Sequence, residues 1–199
     1  GCGIRAVGTH RWPFESAGLG TFMADEQMWI AGEWCAAENG ATSEALNPAT
    51  GEVMATVPKA TVGDVHRCVA SSRAALESPE WKGMDPAQRG RVLNKMAAVT
   101  YAKAKELAVI ESSNNGKTFR EALSEIRYGA WTLEYFAGLT DKIEGSTIPV
   151  PGSRLNYTLR QPLGVTAHIV PWNFPLQLAL RSIAPCLLYT SPSPRDLAV

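Results

Sequence analysis

The chain opens with short apolar segments separated by turn residues. Residues 28–34 are mostly apolar around a turn at 31–33, which indicates a hairpin. A second pair of segments, 44–46 and 52–57, flanks residues 47–51, where Asn-Pro opens a turn and glycine supplies the positive φ that closes it. These patterns predict a small antiparallel β unit at the edge of a domain.

Three amphipathic helices are predicted to follow, each from apolar residues that repeat at helical spacing. Thr61 and Asp64 form a capping box that starts the first helix, and Asp85 with Pro86 starts the second, which ends at residues 114–116. The predicted buried faces are Val65, Cys68, Val69 and Leu76 in the first helix, Leu93, Met96, Ala97, Ala104, Leu107 and Ala108 in the second, and Phe119, Ala122, Ile126, Ala130, Leu133 and Phe136 in the third.

The spacing of apolar residues changes after the third helix. Residues 147–150 and 154–160 are extended segments around Pro-Gly-Ser, which predicts a hairpin. Residues 164–170 are mostly apolar and predict a buried strand of a parallel sheet, and residues 176–183 predict one more helix. Helices followed by a strand, a loop and a helix indicate an α/β architecture.

Composition narrows the function classes. The 199 residues carry 19 Lys+Arg against 19 Asp+Glu, so we expect no nucleic-acid partner and no binding to an anionic membrane surface. Apolar runs are too short for a membrane span. The four cysteines and three histidines are scattered, so we expect neither a disulfide framework nor a metal site, and we predict a cytoplasmic location.

The loop after residue 170 is the candidate site. Ligands of open α/β sheets bind beyond the carboxyl ends of strands, and Pro171 and Pro175 restrict the backbone on either side of Asn173. A rigid loop that presents an amide donor there suits an oxyanion site. The alternative is that Asn173 only caps the helix that begins at Pro175. Spacing alone favours capping, because a single asparagine is weak evidence.

Four segments, taken together and in order, resemble the aldehyde dehydrogenase superfamily. They are 47–53 (NPATGEV), 115–117 (NGK), 157–165 (YTLRQPLGV) and 168–176 (HIVPWNFPL). The resemblance covers roughly Met28 to Pro185, and its P-W-N-F-P motif is specific. It implies an α/β fold, namely an incomplete Rossmann-like cofactor-binding domain with an N-terminal β-hairpin, helices and a bridging oligomerisation hairpin.

The resemblance also implies roles for individual residues. Asn173 matches the catalytic asparagine whose amide stabilises the oxyanion formed on the catalytic cysteine of the family. Residues 144–160 match the hairpin that joins family subunits into homodimers or homotetramers. The cofactor, NAD or NADP, is expected to lie against Ile169, Val170, Pro171 and Trp172.

The implied reaction oxidises a small-molecule aldehyde to a carboxylic acid. A cysteine thiolate attacks the aldehyde, hydride passes from the thiohemiacetal to NAD(P)+, and a glutamate-activated water hydrolyses the thioester. Cys186 follows Asn173 too closely to match this cysteine. Two alternatives remain: an acylating relative that transfers the acyl group to coenzyme A, and a non-catalytic protein that uses the hairpin only to assemble with full-length subunits.

Two features near the motifs bear on ligands. Family members often carry an aspartate before the Asn-Gly-Lys tripeptide, associated with a structural cation, whereas Asn114 stands there in this chain. The resemblance places Phe174, Gln177 and Arg181 at the substrate. In the semialdehyde-oxidising branch, an arginine at the Arg181 spacing contacts the distal carboxylate, so we expect a polar or anionic-tailed aldehyde. The alternative is that Arg181 pairs with a surface carboxylate.

The resemblance divides the chain into segments. Residues 23–143 are the predicted N-terminal part of the NAD(P)-binding domain, 144–160 the bridging hairpin, and 161–185 the start of the Rossmann-like strand, loop and helix. Residues 1–22 are interpreted as upstream or disordered sequence. Residues 186–199 are interpreted as a translated sequencing adaptor, with a natural Ser/Pro-rich linker as the alternative. On this interpretation the catalytic domain is absent, and we expect no turnover from this chain alone.

Overall fold

The computed structural model describes residues 24–189. The predicted upstream segment 1–22 and residues 190–199 of the predicted adaptor-derived segment lie outside the described residues. Residues 186–189 continue the last helix.

Seven short strands and six helices make up the described chain. In order they are β1 (Ala24–Asp25), β2 (Met28–Ile30), β3 (Glu33–Cys35), β4 (Thr42–Leu46), β5 (Val53–Pro58), α1 (Val62–Glu77), α2 (Pro79–Lys82), α3 (Pro86–Ala102), α4 (Ala104–Asn115), α5 (Phe119–Ala137), β6 (Thr147–Ile148), β7 (Asn156–Tyr157) and α6 (Pro175–Tyr189).

The N-terminal strands confirm the predicted β unit. Strands β2 and β3 form an antiparallel hairpin that turns at Ala31 and Gly32, both with positive φ. Strand β5 pairs antiparallel with β4 and parallel with β1. The turn between β4 and β5 closes with a hydrogen bond from the Gly51 N–H to the Asn47 carbonyl at 2.8 Å, with Gly51 at φ 74°.

Local side-chain chemistry starts α1 and α3 as predicted. The Thr61 hydroxyl accepts from the Asp64 N–H while the Asp64 carboxylate accepts from the Thr61 N–H, so the capping box of α1 is complete. Asp85 caps α3, and Pro86 occupies its first turn. Gly116, in the left-handed conformation, ends α4.

Two helix predictions are wrong in detail. The predicted apolar face of α1 is open, with Val65 and Val69 exposed, because among the described elements α1 packs mainly against the short α2 and β2. The predicted second helix is two helices that part at Lys103, whose φ of −96° and ψ of 9° break the regular helix. Its predicted stripe is nonetheless buried at Leu93 and Ala108.

The core lies between helices. One cluster contains Leu93, Ala97, Leu133, Ala137, Leu180 and Ala184, and a second contains Ala104, Ala108, Ala122 and Ile126. Helix α6 packs closely on α5 because Gly129 has no side chain: a Cβ there would lie 3.0 Å from Leu180 Cδ1 and 3.5 Å from Gln177 Cα. This contact fixes α6, and with it the loop that precedes α6.

The segment between α5 and α6 differs most from expectation. The predicted hairpin is present, but each of its strands, β6 and β7, has only two residues. The predicted buried strand 164–170 is wrong, since no described strand pairs with it and Ile169 is 99% exposed. A strand of a parallel sheet needs hydrogen-bonded neighbours, and the described residues supply none there. Within residues 24–189, no helix combines the length and apolar character needed to cross a membrane.

Candidate active site

The Asn173 loop, residues 171–174, joins residues 164–170 to α6. Pro175 is the first residue of α6, and the Phe174 carbonyl accepts from the Leu178 N–H at 3.0 Å to close its first turn. Asn173 is exposed, and its side-chain amide makes no hydrogen bond to any described residue. The interpretation of Asn173 as a helix cap is therefore wrong, because a cap must accept from an N–H of the first turn.

Lys117 fastens this loop to the helical core. Its Nζ donates to the main-chain carbonyl of Asn173 at 2.6 Å and lies 4.6 Å from the centre of the Phe174 ring. The second contact is a cation–π interaction. The Asn173 backbone thus has a charged donor from a distant part of the chain, while the Asn173 side chain stays available.

The turn between α4 and α5 places Lys117. Gly116 takes φ 80°, which reverses the chain after α4 at no steric cost. The Asn115 side-chain oxygen then accepts from the Lys117 N–H at 3.0 Å, and the Ser112 hydroxyl donates to the Lys117 carbonyl at 2.6 Å. These contacts account for the Asn-Gly-Lys tripeptide, which fixes the direction in which the lysine leaves the turn.

Two carboxylates hold the Lys117 ammonium from the other side. Its Nζ lies 2.8 Å from Glu111 Oε1 on α4 and also contacts Glu125 Oε2 on α5. The side chains of Lys117, Glu111 and Glu125 are 14%, 4% and 15% exposed. Burial raises the pKa of Glu111 above its ordinary value, against the opposing effect of the Lys117 hydrogen bond.

Electrostatics keep Lys117 charged. Burial alone would lower its pKa, but hydrogen bonds to Glu111 and Glu125 outweigh burial, and the pKa of Lys117 rises. Sequence reasoning missed both glutamates. The sequence does carry a signal for Glu111, because this residue continues the helical spacing of the buried Ala104 and Ala108. A carboxylate on a buried helix face needs a partner of opposite charge.

The predicted cofactor residues form one exposed strip next to Asn173. Ile169 and Trp172 are 99% and 73% exposed, Pro171 is exposed, and Val170 is half-buried. Chain continuity brings these four residues together. Their assignment to the cofactor stays a prediction.

The predicted substrate residues lie in the Asn173 loop and along α6. Phe174 lies beside Lys117, and Gln177 is half-buried where α6 crosses Gly129 of α5. Arg181 is exposed and makes no ion pair with any residue in 24–189. The alternative that Arg181 pairs with a surface carboxylate is therefore wrong for the part of the chain described.

Cys186 lies in a different group. Its Sγ is 3.4 Å from His168 Nε2 and 3.3 Å from Thr166 Oγ1. Beside it, a cavity of about 820 Å³ is lined by α1, α2, residues 160–166 and the end of α6, and by none of the predicted site residues.

Comparison with known proteins covers most of the chain. The model of the aldehyde dehydrogenase family matches residues 34–191. This chain belongs to the aldehyde dehydrogenase family. A hydroxyisobutyraldehyde dehydrogenase of Mycolicibacterium austroafricanum is 42% identical over 160 residues, which are 80% of this chain and 31% of that protein.

Solved structures agree with this assignment. An NAD+ complex of aldehyde dehydrogenase from Bacillus cereus superposes with a TM-score of 0.81 at 38% identity, over 84% of this chain and 34% of that one. An NADP-dependent enzyme of E. coli gives 0.79 at 32% identity, over 84% and 34%. The predicted α/β aldehyde dehydrogenase fold is thus confirmed, and the chain spans about a third of the length of these relatives.

The Asn114 side chain, where family members often carry an aspartate, has a defined neighbour in the structure. The Asn114 side chain is exposed, and its Nδ2 lies 4.0 Å from Met54 Sδ, a soft partner that no hard cation would choose. No three His, Cys, Asp or Glu side chains converge among residues 24–189. The expectation that no metal binds stays a prediction.

Proposed function

We propose that the protein that carries this chain oxidises an aldehyde to a carboxylic acid with NAD or NADP, through a thiohemiacetal and a thioester on a cysteine. One observation supports this most: the Asn173 side chain is exposed and makes no hydrogen bond to any residue in 24–189, while its backbone is held by Lys117. Family membership and relatives named as a hydroxyisobutyraldehyde dehydrogenase and an NAD+ complex support the same reaction class.

The role proposed for Asn173 is that of an oxyanion donor. When a thiolate attacks the aldehyde carbonyl, negative charge develops on the carbonyl oxygen. The Asn173 Nδ2–H groups donate to this oxygen, and a fixed backbone lets them do so without reorganisation. The same donor serves again when water attacks the thioester.

The residues present fit a nicotinamide cofactor on one side of the loop. Ile169 and Trp172 expose apolar surface beside Asn173, of a kind that a flat ring and ribose can cover. We propose that Ile169, Val170, Pro171 and Trp172 form one wall of that site. When bound, the NAD(P)+ supplies the hydride acceptor.

Arg181 indicates the type of aldehyde. Because its guanidinium is exposed and makes no ion pair within residues 24–189, it is available to a carboxylate on the substrate. We therefore propose a polar or anionic-tailed aldehyde, with Phe174 and Gln177 on the path between Arg181 and Asn173. The expected result is that Arg181→Met lowers kcat/KM for a semialdehyde but not for its neutral-tailed analogue. Equal losses on both substrates would contradict the anionic tail.

We also propose how the protein assembles and where it is located. The hairpin of β6 and β7 is exposed on both strands, including Ile148 and Tyr157, and residues 144–160 are proposed to join subunits into a homodimer or homotetramer. No nucleic-acid or membrane partner is proposed, and the location is proposed to be the cytoplasm. Light scattering of the assembled protein with and without Tyr157→Lys tests the hairpin.

The test of the function is Asn173→Ala in the protein that carries these residues together with the family's catalytic region. Loss of one oxyanion donor is expected to lower kcat on the order of 10²–10³-fold, measured as aldehyde-dependent NAD(P)H formation. Asn94→Ala, an exposed asparagine on α3, is the matched control and should leave kcat unchanged. Equal kcat for Asn173→Ala and the unaltered protein would refute the role.

Two alternatives have distinct outcomes. An acylating enzyme would form an acyl-coenzyme A and require coenzyme A, whereas the proposed enzyme forms the free acid without it. A non-catalytic assembly protein would co-purify with full-length subunits and give no turnover in any form. The 199-residue polypeptide alone is expected to form no NADH from aldehyde, and turnover by it would refute that expectation.

A further inference from the structure

The Lys117 ammonium has three N–H donors and three oxygen acceptors within reach. The acceptors are Glu111 Oε1, Glu125 Oε2 and the Asn173 carbonyl. A lysine at this position can satisfy all three at once, because an ammonium donates three hydrogen bonds and accepts none. The cluster defined by Lys117, Glu111 and Glu125 is called the Lys117 cluster below.

Charge explains why the cluster is strongly held. Two carboxylates that are at most 15% exposed flank one ammonium, so removal of the lysine leaves like charges close together in a poorly hydrated site. Hydrogen bonds between charged groups, and from a charged donor to a carbonyl, are stronger than neutral ones. The lysine is thereby fixed with respect to α4 and α5 before it reaches the loop.

The Lys117 contact is made to the backbone of Asn173, whose side-chain direction decides where its amide can donate. Pro171 and Pro175 restrict the backbone at the two ends of the Asn173 loop, and the Lys117 bond fixes a carbonyl between them. The next carbonyl, that of Phe174, closes the first turn of α6. A loop held at these points leaves the Asn173 side chain little freedom except about its own χ angles.

We propose that Lys117, oriented by Glu111 and Glu125, is a positioning residue that sets the direction of the Asn173 amide. This inference rests on the proposed function of Asn173. Lys117 itself contacts neither the aldehyde nor the cofactor in this role. It acts through the Asn173 carbonyl and the Phe174 ring.

Amide hydrogen exchange of the 199-residue chain tests the proposal. The reporter is the Leu178 N–H, whose acceptor, the Phe174 carbonyl, follows directly on the carbonyl that Lys117 holds. The reference is the Ala184 N–H, in the interior of the same helix. Lys117→Met should speed exchange at Leu178 about tenfold more than it speeds exchange at Ala184, the difference expected for one charge-assisted hydrogen bond, because a loss of global stability accelerates both amides together.

A second variant guards against general unfolding. Lys117→Met combined with Glu111→Gln removes one positive and one negative charge together, so the remaining glutamate no longer faces a like charge. The exchange rate at Leu178 relative to Ala184 should still be about tenfold higher than in the unaltered chain, because the bond to Asn173 is still missing. Lys142→Met, which breaks an exposed ion pair with Asp141, is the matched control and should leave Leu178 unchanged. Lys117→Arg keeps a charged donor and should restore most of the protection.

Two results would overturn the proposal. Equal acceleration at Leu178 and Ala184, both in Lys117→Met and in its combination with Glu111→Gln, would mean that the cluster only stabilises the fold. Unchanged exchange at Leu178 in both would mean that Lys117 does not hold the loop. The exchange rates at Leu178 and Ala184 are measured without turnover. A failure of the Asn173→Ala test would therefore refute the proposed function without changing what the exchange rates say about Lys117.

Discussion

Two networks, each containing a buried carboxylate, anchor different parts of this chain. At the start of α1, Asp64 accepts from the Thr61 N–H at 2.8 Å, from Arg67 Nη2 at 2.5 Å, and from the Glu38 N–H at 3.2 Å. Most of these partners are within three residues of Asp64. The network starts a helix and ties it to the chain after β3.

The Lys117 cluster is built from distant residues instead. Lys117 is separated by 6, 8 and 56 positions from Glu111, Glu125 and Asn173. It therefore connects three elements, namely α4, α5 and the Asn173 loop. The Asp64 network, in contrast, mainly stabilises the start of a single helix, α1. The local network thus secures secondary structure, while the long-range network secures the candidate site.

The largest effect is expected from breaking the long-range network. Lys117→Met should lower the free energy of unfolding by about 3–5 kcal/mol, the usual cost of leaving buried charges without a partner. Urea denaturation followed by circular dichroism measures this. Lys142→Met removes an exposed pair and should change stability by less than about 0.5 kcal/mol. Similar values for the two variants would show that the Lys117 cluster is no stronger than a surface contact.

The local network should respond more weakly. Thr61→Ala removes the hydroxyl that caps α1 and should cost about 1 kcal/mol, measured by the same denaturation. Thr118→Ala is the matched comparison, because Thr118 and Glu121 form the same capping box at the start of α5. Equal costs would identify both as ordinary caps. A loss at Thr61 of several times that at Thr118 would contradict the local interpretation of the Asp64 network.

The same difference explains what could be predicted from sequence. Thr61 and Asp64 stand three positions apart, so their chemistry is visible in the sequence and the capping box was predicted correctly. The bond from Lys117 to Asn173 depends on how α4, α5 and α6 pack, and no local spacing encodes that packing. The motifs that contain Asn173 and Lys117 were both recognisable, but the contact between the two residues was not.

The wrong strand at 164–170 has a related cause. An apolar run shows that a segment can be buried, but not whether a hydrogen-bonded neighbour is present. In this structure Ile169 is 99% exposed, and residues 164–170 form no ladder with any described residue. Helix α1 is similar: its start was predicted correctly, and its apolar face was wrong because burial depends on what packs against it.

The smallest expected effect is the change of stability with pH. Its sign differs between Asp64 of the local network and Glu111 of the Lys117 cluster. The backbone hydrogen bond from Thr61, followed by the side-chain hydrogen bond from Arg67, lowers the pKa of Asp64, so the folded protein binds this proton less tightly than the unfolded chain. The stability that Asp64 contributes is present above the unfolded pKa of about 3.9 and is lost as pH falls through the lower folded pKa.

Glu111 should behave in the opposite way. Burial raises its pKa in the folded state, so the folded protein binds this proton more tightly, and its contribution to stability declines as pH rises from about 4.3 through the folded value. The stability of the unaltered chain relative to Asp64→Asn should therefore grow with pH, and its stability relative to Glu111→Gln should shrink. Urea denaturation at a series of pH values measures both slopes. Slopes of the same sign would mean that the two carboxylates do not differ in the way their surroundings indicate.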